Sequence, residues 1–153
     1  MIEFLNKGAH ISSLTGEKVS EFQVVSAVND ATAALGLRLK SYLLAATWDD
    51  PPYYSLLVEG DDLADESAGE RLAAEVESRL ALANAEYENR RSTNRLGPIR
   101  LRRIRPGSWV EFQKRRLARS GGTAEQYKQP CLMADVNAIE EFGLAHAGSG
   151  SPT

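Results

Sequence analysis

Residues 37–59, LRLKSYLLAATWDDPPYYSLLVE, carry one of the clearest structural signals in the chain. Residues 37–47 and 53–59 are rich in aromatic and branched apolar side chains, which is typical of buried strands. The four residues Asp49-Asp50-Pro51-Pro52 lie between them and signal a turn, because two successive prolines cannot continue the ladder of a central strand. The stretch therefore predicts a β-hairpin.

Helical patterns lie on both sides of this hairpin. Ser20 is expected to cap a helix that ends at Gly36. Residues 65–91 predict a longer helix, with acidic side chains in its first turns and arginines at its end, as the helix dipole favours. Its apolar residues recur at three- and four-residue steps: Leu72, Val76, Leu80, Ala83 and Tyr87.

Shorter elements are predicted towards the two ends of the chain. Residues 9–13 predict a short strand before the first helix. After the long helix, residues 99–105 predict a strand, and Ser108 is expected to cap a helix that extends to about residue 118. A last helix is expected near residues 136–142.

The predicted order is helix, strand, strand, helix, strand, helix. A hairpin joined to a strand that returns after a long helix predicts an α+β domain, with a small mostly antiparallel or mixed sheet of about three to five strands flanked by helices. The domain is expected to span residues 9–143. The tail at 144–153, rich in glycine and serine, is expected to be disordered.

Composition excludes several classes of protein. The chain has 153 residues and a net charge of −3. It contains no run of roughly 20 apolar residues and begins without the features of a signal peptide, so we expect a cytoplasmic protein with no membrane contact. The single cysteine, Cys131, excludes an internal disulfide framework and a cysteine-rich metal site.

Charge is unevenly distributed along the chain. Residues 49–77 are acidic and residues 90–119 are basic. A basic block can bind phosphate or nucleic acid, or it can be a solvated face that balances the acidic half of the same domain. Trp109 and Phe112 are predicted to lie on the buried face of a helix, where they could not stack on bases, so we expect no nucleic-acid partner.

The sequence contains no self-contained catalytic motif. It lacks a phosphate-binding loop, a dinucleotide fingerprint and a nucleophile elbow. His10 and His146 have no suitably spaced partners. One segment suggests a function: GGTAEQYKQP, residues 121–130, in which a glycine pair precedes Lys128. A lysine on a loop can bind an anionic group as a point charge.

Several motifs, taken in order, resemble those of one enzyme family. They are Ile11-Ser12-Ser13-Leu14-Thr15-Gly16-Glu17-Lys18-Val19-Ser20-Glu21; Asn84, Tyr87 and Arg91 as N-x-x-Y-x-x-x-R; Leu96-Gly97-Pro98-Ile99; Pro106-Gly107-Ser108-Trp109; and Gln126-Tyr127-Lys128-Gln129-Pro130. Their order and spacing resemble the C-terminal domain of the auxin-responsive acyl acid-amido synthetases of plants and their bacterial relatives. This family belongs with the firefly-luciferase-type adenylate-forming enzymes. The resemblance covers residues 11–133 but only the last third or less of a family member.

Two positions depart from the family pattern. Relatives usually read Q-Y-K-x-P-R-C, whereas here Cys131 directly follows Pro130 and the arginine is missing. Glu125 stands where asparagine is common.

The resemblance implies a mobile lid domain of an ATP-dependent amide ligase that forms an acyl-adenylate and transfers it to an amine or amino acid. Lys128 is then the expected catalytic residue, and Gln126 and Tyr127 are expected to support its loop against the nucleotide. Residues 1–8 would be a hinge remnant that includes Lys7 and Gly8.

Partners and cofactors also follow from the resemblance. It implies ATP and magnesium, a carboxylic acid and an amine for the full-length enzyme, and a missing N-terminal domain that binds the nucleotide and the acyl group. We expect no cofactor bound to this chain alone, and the isolated chain is expected to be inactive. Glu17, Lys18, Tyr87 and Arg91 are expected to be structural.

A second hypothesis belongs to another class of protein. A stand-alone ferredoxin-like module that binds a ligand or another protein would explain why the sequence lacks a set of catalytic residues. It would not explain the ordered motifs. A natural start codon at Met1 with no upstream coding sequence would favour this module.

Overall fold

The computed structural model describes residues 11–120, 130–134, 136 and 138–142. Within these ranges the helices are α1 (Glu21–Leu35), α2 (Glu66–Ala83), α3 (Ala85–Ser92) and α4 (Ser108–Ser120), and the strands are β1 (Ile11–Ser12), β2 (Val19–Ser20), β3 (Leu43–Thr47), β4 (Tyr53–Glu59), β5 (Arg100–Ile104) and β6 (Leu132–Met133). Short 3₁₀ turns lie at Gly60–Asp62 and Ala138–Phe142. In this part of the chain no helix is long and apolar enough to cross a membrane.

The main sheet has four strands in the order β5-β4-β3-β6. The predicted hairpin is present: β3 and β4 are antiparallel, and Leu43 pairs with Leu57. Strand β5 is parallel to β4 and β6 is parallel to β3, so the sheet is mixed. Strands β1 and β2 form a separate antiparallel pair, here called the N-terminal hairpin (residues 11–20). The predicted α+β class with a small mixed sheet is confirmed.

Strands β3 and β4 are buried along their whole length, because both faces of the sheet are covered. Alternate side chains such as Leu44 and Leu56 pack with α1 and α2 in the larger core. Leu43 and Leu57 point to the opposite face, where they pack with Trp109 and other apolar residues of α4 and the second 3₁₀ turn. The sheet is therefore the middle layer of three.

Helix α1 begins and ends where local sequence signals place it. The Ser20 hydroxyl accepts a hydrogen bond from the Gln23 backbone N–H, and the Gln23 side chain accepts one from the Ser20 N–H. This reciprocal pair satisfies amides at the helix start that have no partner within the helix. At the other end Gly36 adopts φ 70°, a left-handed conformation that glycine enters without steric cost.

The predicted single helix over 65–91 is two helices. Asn84 leaves the helical conformation (φ −139°, ψ 104°), ends α2 and caps α3 by accepting a hydrogen bond from the Tyr87 N–H. The apolar spacing continues across this break, so periodicity alone does not reveal it.

Two smaller expectations also change, and one strand is new. Residues 37–42 do not join strand β3, and the Lys40 N–H instead donates to the Asp62 carboxylate at 2.9 Å. Strand β6 was not predicted. The helix expected near 136–142 is a 3₁₀ turn over Ala138–Phe142.

Candidate functional site

The residues predicted to act in catalysis lie outside the part of the chain that the structure describes. These are Lys128, Gln126 and Tyr127 in the loop, and Lys7 and Gly8 in the expected hinge. What the structure does describe is the pair of elements on either side of segment 121–129, namely α4 and β6. It also describes the N-terminal hairpin, which directly follows the expected hinge and lies against β6.

The chain that follows segment 121–129 is held at Cys131. The Cys131 backbone N–H donates to the Glu21 carboxylate at 2.7 Å, and its carbonyl accepts from the Leu44 N–H at 2.9 Å. The Tyr42 side chain lies beside the Cys131 thiol. Residue 131 is therefore hydrogen-bonded on two sides, by α1 and by β3.

The Cys131 thiol is not set up as a nucleophile. Burial raises the pKa of this thiol, the Tyr42 side chain beside it lowers it, and the neighbouring Glu21 charge raises it, so that the pKa stays above its ordinary value. A cysteine reacts as its thiolate, and a raised pKa leaves less of that form at neutral pH. The contacts of Cys131 are those of a structural residue.

The chain that precedes segment 121–129 is held at the start of α4. The buried Glu59 carboxylate accepts a hydrogen bond from the Trp109 backbone N–H at 2.9 Å. A carboxylate at a helix N-terminus also favours the helix dipole. Along α4, Trp109 and Phe112 pack against Phe142 with ring centroids 5.4 Å and 4.9 Å away. These contacts seat α4 on the sheet.

The first family motif forms a polar turn closed around a buried carboxylate. Glu17 accepts hydrogen bonds from the backbone N–H groups of Leu14 and Thr15 at 2.7 Å each and from the Tyr54 hydroxyl at 2.6 Å. Burial acts to raise the pKa of Glu17, but the hydrogen bonds from Leu14, Tyr54 and Thr15 outweigh it and the pKa lies below its ordinary value. Glu17 therefore stays ionised and holds the turn, a structural role as expected.

The second motif ties this turn to the helix layer. The Asn84 amide donates to the carbonyl oxygens of Glu17 at 3.3 Å and Lys18 at 3.0 Å, and to the Gln23 side chain at 3.0 Å. Arg90 adds a hydrogen bond of 2.8 Å from its Nε to the Thr15 carbonyl. The N-terminal hairpin is thus joined to the junction of α2 and α3 and belongs to the rigid body of the domain.

Tyr87 and Arg91 both contact Glu77 on the neighbouring helix α2. The Tyr87 hydroxyl donates to Glu77 at 2.6 Å, and Arg91 forms a short ion pair with the other carboxylate oxygen. Glu77 also accepts from the Ile99 N–H at 3.2 Å, just before β5. Tyr87 and Arg91 therefore position the approach to β5, which confirms the structural role expected for them.

Several arginines of the basic segment contact other residues of the domain. Arg100 lies over the Tyr53 ring at 4.2 Å, Arg102 donates to the Tyr53 hydroxyl, and Arg116 lies over the Phe112 ring. Together with Arg90 and Arg91, these side chains use their charge for contacts within the domain. Among these contacts only the Arg91–Glu77 ion pair joins a charge of the basic segment to a charge of the acidic one, and Arg95, Arg103, Arg105 and Lys114 are exposed.

A groove of about 600 Å³ lies between α2 and β5. Its lining carries both signs of charge: Glu66, Glu70 and Glu77 on one side, and Arg100, Arg102 and Arg103 on the other. Within the described ranges, no group of three histidine, cysteine or acidic residues is arranged to hold a metal ion. These residues do not fit a magnesium site, and the mixed charge does not favour nucleotide phosphates.

Sequence reasoning missed several residues that organise these sites. Glu77, Glu59 and Tyr54 gave no local signal, because a glutamate in a helix or a tyrosine in a strand is ordinary. The cap at Asn84 did carry a signal, since asparagine followed by acidic residues is typical of a helix start.

Comparisons with known proteins agree with the motifs. A sequence profile of the GH3 family C-terminal domain matches residues 22–137. A solved structure described as "GH3.15 acyl acid amido synthetase" superimposes with a TM-score of 0.73 at 23% identity, over 87% of this chain and 25% of that chain. Another, "AtGH3.15 acyl acid amido synthetase in complex with 2,4-DB", gives a TM-score of 0.70 at 20% identity over the same shares, 87% and 25%. No curated protein matches the sequence.

The two kinds of match carry different weight. The structural similarities show a shared fold, and this chain spans about a quarter of the length of the chains that it matches. The profile covers most of the chain and confirms the resemblance carried by the motifs. This chain belongs to the GH3 family and corresponds to its C-terminal domain.

Proposed function

We propose that this chain is the mobile C-terminal lid domain of an ATP-dependent amide ligase. The observation that carries the proposal is the family match over residues 22–137. Two matched solved structures are described as acyl acid amido synthetases, and this chain spans only a quarter of each. An N-terminal domain that binds the nucleotide and the acyl group would supply the remainder. The cytoplasm, which holds ATP, is the proposed location.

The proposed reaction has two steps. In the first, a carboxylate oxygen of the acyl acid attacks the α-phosphorus of ATP, and the bond to pyrophosphate breaks. In the second, the nitrogen of an amine or amino acid attacks the acyl carbon, AMP leaves with the electrons of the carbon–oxygen bond, and the amine loses a proton. The products are an amide, AMP and pyrophosphate. Because the described residues do not fit a magnesium site, we propose that the N-terminal domain binds magnesium and most of the nucleotide.

Lys128 is the proposed catalytic residue of the domain, with Gln126 and Tyr127 as support for its loop. An ammonium group placed at the α-phosphate stabilises the charge that develops there during the first step. Closing a domain over this site also excludes water from an adenylate that hydrolyses easily. Residues 9–143 would form the lid and residues 144–153 a disordered tail. Rotation about the hinge at Lys7 and Gly8 would then open the site to the amine.

The fold supports a rigid lid. The N-terminal hairpin, which follows the proposed hinge, is joined to the helix layer through Asn84 and Arg90. A rotation at the hinge would therefore move the hairpin, the helices and the sheet as one unit. Segment 121–129 would be carried with them, because α4 and β6 on either side are packed on that sheet.

The experiment is ATP–pyrophosphate exchange with the protein encoded by the complete reading frame, tested against a panel of carboxylic acids. We expect exchange with at least one acid, and loss of that exchange when residues 9–143 are deleted. The isolated 153-residue chain should show none. A complete reading frame of only these residues, without exchange for any acid, would refute the proposal and favour the stand-alone ferredoxin-like module.

A further inference from the structure

The helix layer carries two large apolar side chains on its exposed outer face. Each helix has one row of exposed residues at helical spacing: Phe22, Ser26, Asn29 and Ala33 on α1, and Arg71, Ser78 and Leu82 on α2. Most members of these rows are polar or small. Phe22 and Leu82 are the exceptions, with 81% and 87% of their surface exposed.

The two side chains lie at the same end of the helix layer. The Gln23 side chain donates to the Ala83 carbonyl at 3.4 Å, so the first turn of α1 lies beside the last turn of α2. Phe22 directly precedes Gln23, and Leu82 directly precedes Ala83. Ala83 and Ala85 are also exposed, and we call Phe22, Leu82, Ala83 and Ala85 the end patch. Single exposed apolar residues need no explanation, but a group of them marks an interaction surface.

The chain enters the described structure beside the end patch. Ile11, the first described residue, pairs with Ser20 in the N-terminal hairpin, and Ser20 caps α1. Phe22 follows Ser20 by two positions, so whatever precedes Ile11 reaches the domain next to Phe22. This chain covers 25% of each matched solved chain and corresponds to the C-terminal domain of its family. In the proposed enzyme, the part that precedes Ile11 is therefore the larger part.

We propose that the end patch is the surface on which the preceding domain docks, through an apolar area of its own. The inference rests on the proposed function, because that function supplies the preceding domain. Covering a phenylalanine and a leucine that are otherwise in water is favourable, and buried aromatic side chains are frequent anchors of interfaces. The covalent connection keeps the preceding domain at a high effective concentration, so a small patch is enough to hold it. A contact this close to the point of entry also moves little when the domain turns about that point.

Covalent footprinting with a carbene reagent, read by mass spectrometry, tests the coverage of the end patch directly. Phe22 and Leu82 should be labelled severalfold less in the full-length protein than in the 153-residue chain, with or without ATP and acid. Trp48 and Val110, which are 60% and 55% exposed and lie on other elements, are the internal references. Labelling of Phe22 and Leu82 that falls no more than that of Trp48 and Val110 would overturn the inference.

The double variant Phe22→Ala, Leu82→Ala tests the contribution of the contact to stability. In the 153-residue chain both side chains are already exposed, so the variant should change Tm by no more than about 2 °C. In the full-length protein the same variant should lower the Tm of this domain by at least about 5 °C, because docking stabilises the folded domain and the apolar contact is lost. Trp48→Ala is the matched control and should have the same small effect in both proteins. A double variant with equal effects in both proteins would contradict docking at the end patch.

Failure of this inference can be told from failure of the proposed function. A full-length protein that catalyses pyrophosphate exchange, but in which Phe22 and Leu82 are labelled as in the 153-residue chain, keeps the proposed function and refutes docking at the end patch. A complete reading frame without a preceding domain refutes both. The other occupant is a second copy of this chain. Dimerisation of the 153-residue chain that the double variant abolishes, with no protection of Phe22 and Leu82 in the full-length protein, would overturn the inference and assign the end patch to self-association.

Discussion

Replacing Asn84 with alanine tests whether the N-terminal hairpin is joined to the helix layer as described. The Asn84 side chain is almost fully buried, and it both caps α3 and binds the carbonyls of Glu17 and Lys18. Alanine removes all of these hydrogen bonds and keeps the backbone. The domain should therefore remain folded but be less stable.

The magnitude follows from the contacts. Loss of a helix N-cap costs about 1 kcal/mol. The amide group has two hydrogens for three acceptors, so we count about two further hydrogen bonds at about 1 kcal/mol each. The sum, about 3 kcal/mol, corresponds to a fall in Tm of roughly 6–12 °C for a domain of this size. Urea and thermal unfolding of the 153-residue chain measure both quantities.

Two further variants sharpen the test. Asn29→Ala makes the same chemical change on an exposed position of α1 and should alter stability by no more than about 0.5 kcal/mol. Asn84→Asp keeps an oxygen for the Tyr87 N–H but turns a carboxylate towards the two carbonyls, so it should destabilise at least as much as Asn84→Ala. The reasoning is refuted if Asn84→Ala costs no more than Asn29→Ala, or if Asn84→Asp is as stable as wild type.

Two other predictions concern the carboxylates of the buried Glu17 and the partly buried Glu77. The pKa of Glu17 is lowered by folding, so its contribution is complete above the ordinary value of 4.5 and is lost as pH falls through the lower folded pKa. The stability difference between wild type and Glu17→Gln, measured by urea unfolding, should therefore shrink below pH 4.5; a constant difference would contradict this. Glu77→Ala removes the acceptor of the Tyr87 hydroxyl and of the Arg91 Nε, and should cost about 2–3 kcal/mol in urea unfolding. Glu75→Ala, which removes only a partly exposed pair with Arg79, should cost less than about 1 kcal/mol, and equal losses for the two would count against the role of Glu77.

Features set by neighbouring residues were predictable from the sequence. Helix α1 is capped by Ser20 and Gly36, because a hydroxyl reaches an amide three residues away and a glycine accepts a positive φ. The β3–β4 hairpin followed from apolar strands around two prolines. In each case the determining interaction lies within a few residues of the signal.

Features set by distant residues were not predictable in this way. Asn84 followed by acidic residues is a local signal for a cap, but the contacts that stabilise the break there come from Glu17, Lys18 and Gln23, which lie more than 60 residues earlier in the chain. Strand β6 depends on Leu44 and Glu21, and only the folded chain brings these to residues 131–133. Periodicity carries no information about such contacts.

The candidate site shows the same difference between what local sequence predicts and what distant contacts determine. The order and spacing of the motifs sufficed to identify the family. The structure then shows that the first two motifs converge on Glu17, Asn84 and Glu77, where they hold the domain together. Their role in the fold could be anticipated for Tyr87 and Arg91, but the partner Glu77 could not.

The most direct test of the central claim is ATP–pyrophosphate exchange by the full-length enzyme carrying Lys128→Ala, with an acid that the wild-type enzyme activates. A single preorganised charge at the reacting phosphate contributes on the order of 10²–10³ in rate, so exchange should fall by that factor while the domain unfolds at the wild-type temperature. Exchange at the wild-type rate would contradict the claim that this domain brings a catalytic lysine to the nucleotide.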